Sequence, residues 1–173
     1  MKGAVLSVNV SPGKHTAKTP APSAELVAGL GVLGDAHNGP GIRQVSLLAL
    51  ESIERQARMF RERMRDTNED LRCAKAHGHE QDLKPGDFAE NITTSGLNLP
   101  ALPIGTRLRV GERVVLRVSK IGKECHRHCA IYQAIGDCVM PREGIFAVVE
   151  QGGTVRPGDS ITDVEDRGPD DQR

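Results

Sequence analysis

The sequence predicts a mixed α/β fold, a closed or nearly closed, mainly antiparallel β-barrel decorated by one long amphipathic helix. Three observations predict it. Short alternating segments crowd the chain from Gly105 onward, a single stretch of helical period precedes them, and 173 residues are enough for one domain to bury a core without disulfides. Several short antiparallel strands with one early helix fit a barrel better than a layered parallel sheet.

The elements follow in order. Gly3 to Val10 alternates apolar residues (Val5, Val8, Val10) with small or polar ones and reads as a first strand. Ser11 to Ser23, with Pro12, Gly13, Pro20 and Pro22, reads as an irregular loop. Leu47 to Leu71 places Leu47, Leu50, Ile53, Ala57, Phe60, Met64 and Leu71 at helical spacing among Arg and Glu, with Ser46 as its cap. Ala74 to Lys84 is polar and reads as a loop, its His77 and His79 solvated. Thr106 to Val110 and Arg113 to Val118 flank Gly111-Glu112, a two-residue hairpin signal. Gly144 to Glu150 and Asp159 to Val164 add strands, joined through the Gly152-Gly153 and Pro157-Gly158 turns. Residues 1–164 therefore read as one domain. The charged tail from Glu165 to Arg173 has no apolar residue and is expected to be disordered.

Composition excludes some classes of function. The 23 basic and 23 acidic residues cancel, so no broad field pulls the chain to nucleic acid or to a membrane. With no Trp, one Tyr and three Phe, the chain lacks the aromatic platforms on which a single-strand binder stacks bases. No run of eighteen apolar residues and no signal-peptide pattern is present, so the expected location is the cytoplasm.

In that reducing compartment, clustered cysteines point to catalysis or metal binding before disulfides. Ile121-Gly-Lys-Glu-Cys-His-Arg-His-Cys-Ala130, extended to Cys138, gathers three of the four cysteines and two of the six histidines. The thiolate is the reactive form of cysteine, and Lys123, Arg127 and a protonated His126 or His128 favour it at Cys125. Glu124 partly offsets them. Cys129 and Cys138 could resolve a persulfide on Cys125 as a disulfide, or could simply fill the core. A zinc module using Cys125, Cys129, Cys138 and one histidine is the other reading, but C-x3-C-x8-C is not a standard zinc spacing, and no bound zinc is expected.

Four blocks resemble the MOSC domains, named for the carboxy-terminal domain of molybdenum cofactor sulfurases. They are Gly31-Val-Leu-Gly-Asp-Ala-His37 with Arg43-Gln-Val-Ser-Leu-Leu48; Leu83 to Thr94 with Gly96; Ile121-Gly-Lys-Glu-Cys125; and Cys138 to Ala147 with Gly152 to Asp159. They run in the family's order over nearly the whole chain. Glu124 stands where the commoner motif has proline, and the pattern around Cys138 is similar to the short, stand-alone MOSC proteins.

The resemblance implies a barrel fold and a pocket for a molybdopterin-type cofactor, a pterin dithiolene with a phosphate or nucleotide end. It implies that Cys125 accepts sulfur from a separate pyridoxal-phosphate cysteine desulfurase or ligates molybdenum, and that Asn91 lines the pocket. A molybdoenzyme would be the acceptor, and no pyridoxal phosphate is expected in this chain. Arg43 and Arg142 are the phosphate-binding candidates, because a guanidinium grips phosphate bidentately, and Lys123 is the third. Asp35 is expected to fix the Gly31 to Gly41 loop that carries His37, the last candidate cofactor contact. A carrier that binds the cofactor without chemistry is the alternative function.

Overall fold

The computed structural model describes residues 1–14, 16–66, 83–124, 132 and 137–164, with backbone alone at 63–66. Its first strands are β1 (Lys2–Val10), β2 (Thr19–Ala21), β3 (Ala24–Val27), β4 (Gly31–Val32) and β5 (Val45–Ala49). The long helix α1 (Leu50–Asp66), β6 (Ile92–Ser95), a 3-10 turn at Leu99–Ala101, β7 (Arg107–Val110) and β8 (Val114–Ile121) follow. The short helix α2 (Met140–Glu143), β9 (Ile145–Gln151), β10 (Gly153–Val155) and β11 (Ser160–Asp163) complete it.

Seven strands close a barrel in the order β1-β11-β7-β8-β9-β5-β6 and back to β1. Every pair is antiparallel except β5 with β6, where Leu47 stands beside Ile92 and Ala49 beside Thr94. Strands of one direction need a crossover, and α1 lies within it. The closing seam is β1 with β11, through Gly3 opposite Ile161. β2 adds to the far half of β1, and Pro20 on it blunts that edge by removing a donor. β10, β3 and β4 form a separate three-stranded sheet.

Alternation fills the barrel. Val8, Leu47, Ile92, Leu108, Val110, Leu116, Val118, Ile145, Ala147 and Ile161 are wholly buried in one cluster. Each large aliphatic side chain taken from water contributes about 1.5–3 kcal/mol, so this interior supplies most of the drive to fold. A second cluster lies outside the barrel, where Leu48, Phe146 and Phe88 meet Ile53 of α1 and Cys138, Val139 and Met140.

The structure corrects several local expectations. The helix starts at Leu50, because Val45–Ala49 is a strand buried along its whole length and hydrogen-bonded on both sides. A short apolar run buried on both faces has no period that separates strand from helix. Ser46 accordingly caps nothing, and its hydroxyl donates to Asn91 Oδ1 at 2.9 Å. The end of the expected helix, 67–71, and most of the Ala74 to Lys84 loop lie outside the described residues. The β7–β8 hairpin pairs Val110 with Val114, so its loop is three residues, Gly111 to Arg113. The Ser11 to Ser23 loop contains β2, and Gly153 begins β10 where a turn was expected. The tail expected to be disordered also lies outside the described residues.

Candidate cofactor site

The outer faces of β5, β8 and β9, with the chain that leads into β6, bring several predicted residues together. Asn91 stands just ahead of β6, buried, and its Oδ1 accepts from Ser46 N at 3.2 Å as well as from the Ser46 hydroxyl. Its Nδ2 donates to the Asn9 carbonyl at 3.3 Å. The amide thus ties β5 to β1, which uses most of its hydrogen-bonding capacity inside the protein. Ser46 pairs across the sheet with Phe146 of β9, and the Arg43 guanidinium lies 6.0 Å from the Phe146 ring centre. Asn91 and Arg43 therefore flank one patch of the barrel wall. Arg43 is exposed, and among the described residues no carboxylate pairs with it.

The Arg43 loop is held on the same wall: the Ser119 hydroxyl donates to the Ile42 carbonyl and, at 3.0 Å, to the Phe146 carbonyl. Beyond Ser119, β8 ends at Ile121 and the chain turns through Gly122 at φ 67°. Gly122 N donates to the Gly144 carbonyl at 2.7 Å, and an added Cβ would collide with the Pro141 carbonyl oxygen. Only glycine fits a left-handed position pressed against another backbone. Lys123 follows, half-buried, its N–H 3.4 Å from the same Pro141 carbonyl. Cys125 and Cys129, the expected working and resolving thiols, lie outside the described residues, as do His126 and His128. Cys138 is a buried thiol in the cluster beneath α1.

Arg142 is placed differently from Arg43. Its guanidinium holds both oxygens of Asp137, at 3.1 and 2.9 Å, and reaches Gln56 of α1. Those bonds from Arg142 outweigh burial and set the Asp137 carboxyl below its ordinary range, while Asp137 in turn raises the guanidinium. Much of the charge of Arg142 is thus spent within the protein.

His37 sits on the loop after β4, beside a buried ion pair that the sequence did not announce. Asp35 Oδ2 accepts from Lys18 Nζ at 2.5 Å and from Ser11 N at 3.1 Å, and both charged side chains are 1% exposed. Asp35 Oδ1 accepts from His37 N at 3.0 Å and lies 3.4 Å from His37 Nδ1. Burial pushes the Asp35 carboxyl up, yet the contacts with His37 and Lys18 prevail and hold it well below the usual carboxylate range. A lysine in a Pro-rich loop gives no sequence signal of burial. Glu90 is a second buried acid: Oε1 accepts from Gly86 N at 2.6 Å and from the Thr93 hydroxyl at 2.8 Å, while Oε2 has no partner.

Among the described residues no group of three or more His, Cys, Asp or Glu is arranged to hold a metal ion. The described groups of this patch whose chemistry fits an anionic ligand with polar edges are the exposed Arg43 cation over the Phe146 ring and the Asn91 amide beside it. No described helix is long and apolar enough to cross a membrane.

A closed seven-stranded barrel with a helix in its one parallel crossover defines a small β-barrel domain. The family is more particular. The MOSC domain model matches residues 34–162, and the chain belongs to the MOSC domain family. The YuaD protein of Bacillus subtilis has a similar structure, with a TM-score of 0.66 at 18% identity over 93% of this chain and 94% of that one. YiiM from Escherichia coli matches with a TM-score of 0.64 at 20% identity, over 95% of this chain and 70% of its own. YiiM from Geobacillus stearothermophilus gives 0.63 at 18% identity, over 94% and 75%. At these identities the likeness is one of fold. No curated protein matches at the level of sequence.

Proposed function

We propose that this MOSC domain binds a molybdopterin-type cofactor and carries sulfur on Cys125. The observation that supports it is the convergence, in a chain of this family, of Arg43, Asn91 and the β8 exit on one wall. Arg43 and Lys123 would hold the anionic end of the cofactor, and His37 would contact it. Asn91 would act chiefly by fixing the wall and presenting its remaining amide hydrogen. The cofactor, when bound, supplies a metal centre that takes up terminal sulfur. Arg142, already committed to Asp137, would support α2 more than it grips phosphate.

Sulfur would arrive by exchange. The Cys125 thiolate attacks the outer sulfur of a persulfide on a separate cysteine desulfurase; the donor's S–S bond breaks, its cysteine thiolate leaves, and Cys125 keeps the persulfide. Such a step needs Cys125 ionised, and Lys123 two residues before it favours that state.

The test incubates the protein with a desulfurase and cysteine and follows intact mass. The expected result is a gain of one sulfur atom per chain that Cys125→Ser abolishes. A gain lost instead with Cys129→Ser or Cys138→Ser would move the working thiol to that residue. Cofactor binding that persists in Cys125→Ser, with no mass gain in the wild type, would favour a carrier without sulfur chemistry.

A further inference from the structure

Asp35 and His37 form a carboxylate–imidazole pair whose geometry exceeds what fixing a loop requires. The backbone N–H groups of His37 and Ser11 already anchor Asp35 at 3.0 and 3.1 Å, which is enough to hold the turn. Beyond that, His37 Nδ1 lies 3.4 Å from Asp35 Oδ1, within ion-pair range, with the histidine side chain 39% exposed. A carboxylate facing Nδ1 selects the tautomer with hydrogen on Nδ1, so Nε2 carries the lone pair. Lys18, buried with Asp35, balances the carboxylate charge and keeps it ionised. A buried ion pair is by itself weak support for stability, because desolvation offsets its attraction.

The pair also stands near the candidate site. Asp35 is bonded to Ser11 N and Asn91 to the Asn9 carbonyl, two residues apart at the end of β1, or about 7 Å along extended chain. His37 and Arg43 share the loop between β4 and β5.

We infer that His37 is a proton-coupled oxyanion contact: Nε2 takes a proton from solvent as an anionic oxygen binds and donates the resulting N–H to that oxygen, with Asp35 as the positioning residue. Protonation forms one N–H bond at Nε2 and leaves Nδ1–H on Asp35, so the new imidazolium sits between a carboxylate and the ligand. Among the described residues, Asp35 is the charged group in contact with the ring and Lys18 the one behind it. This rests on the proposed anionic cofactor. Its oxyanion could be the phosphate end or the metal-oxo end.

The experiment records nitrogen spectra of the full chain with labelled histidine, alone and with inorganic phosphate or molybdate as probes. The expected result is the Nδ1–H tautomer at His37 without ligand, then protonation of Nε2 on saturation at a pH where the free ring is neutral. A response to phosphate alone assigns the phosphate end, and a response to molybdate alone the metal-oxo end. His37→Gln, at an exposed position that should fold, is expected to weaken the effective probe at least 5-fold. Asp35→Asn should scramble the tautomer; if it does not fold, the wild-type tautomer decides. An Nε2–H tautomer, or a His37 resonance indifferent to both probes, overturns the inference. Binding of extracted cofactor, read by pterin fluorescence, is scored separately. Its absence beside a responsive His37 would sink the cofactor reading and leave the oxyanion contact standing.

Discussion

Glu90 shows how much a single side chain can carry without touching a ligand. It is fully buried, and burial, with the nearby charge of Asp87 adding to it, raises its pKa from 4.5 to about 7 against the opposing bonds from Gly86 and Thr93. The acid is therefore protonated in the folded protein over a range where the unfolded chain has lost the proton. Below about pH 4.5 its contribution to stability is fully present, and it is lost as the pH rises through about 7. At about 1.4 kcal/mol per pKa unit the loss is about 3 kcal/mol. Denaturant titrations across that interval should show wild-type stability falling by this amount, with Glu90→Gln nearly flat, since glutamine keeps the shape and cannot ionise. A wild-type curve as flat as the variant's would mean that Oε2 finds a partner in solution. The partners of Glu90 are the Gly86 N–H and the Thr93 hydroxyl, both within the Leu83 to Thr94 block, where the residue pattern alone does not say which way the acid turns.

At the scale of elements, the exit of β8 is where backbone geometry serves the proposed chemistry. Gly122 bonds to Gly144 and abuts Pro141, so the strand end and the ends of α2 are locked together just ahead of Lys123. Gly122→Ala should cost about 1–3 kcal/mol, because the left-handed backbone and the close approach cannot both survive a Cβ. Sulfur loading of Cys125 should fall more than stability does, measured as mass gain per folded chain at a temperature well below melting. Equal losses would reduce the junction to a structural clamp. The same scale explains the misread boundary at Leu47: a strand buried on both faces carries no alternation, so its end could not be separated from the helix that follows. The hairpins were legible because each has one face toward the core and one toward water, which writes period two into the residues.

For the whole molecule, closure is the property that the alternating second half foretold, while the small sheet of β3, β4 and β10 left no trace because its strands are only two to four residues long. That Arg43 and Asn91 share one wall could not be read from local pattern, since residues 48 apart in sequence come to it through the pairing of β5 with β6 and β9. Closure also separates stability from the site. Ile161, wholly buried, stands opposite Gly3 on one side and Val110 on the other, at the seam where the last strand completes the barrel. Ile161→Ala should cost about 2–5 kcal/mol through lost burial and the cavity left behind. For a chain of this size that lowers the melting temperature by about 10 °C. Cys125→Ser should do the reverse, removing sulfur loading while melting within about 2 °C of the wild type, as expected of a reactive side chain that is not a core residue. Both variants are compared by calorimetry and by mass gain per folded chain. If Cys125→Ser melted as early as Ile161→Ala, Cys125 would be a packing residue and the sulfur-carrier reading would fall. If Ile161→Ala also lost loading while still folded, the barrel seam and the site would be mechanically coupled and not independent.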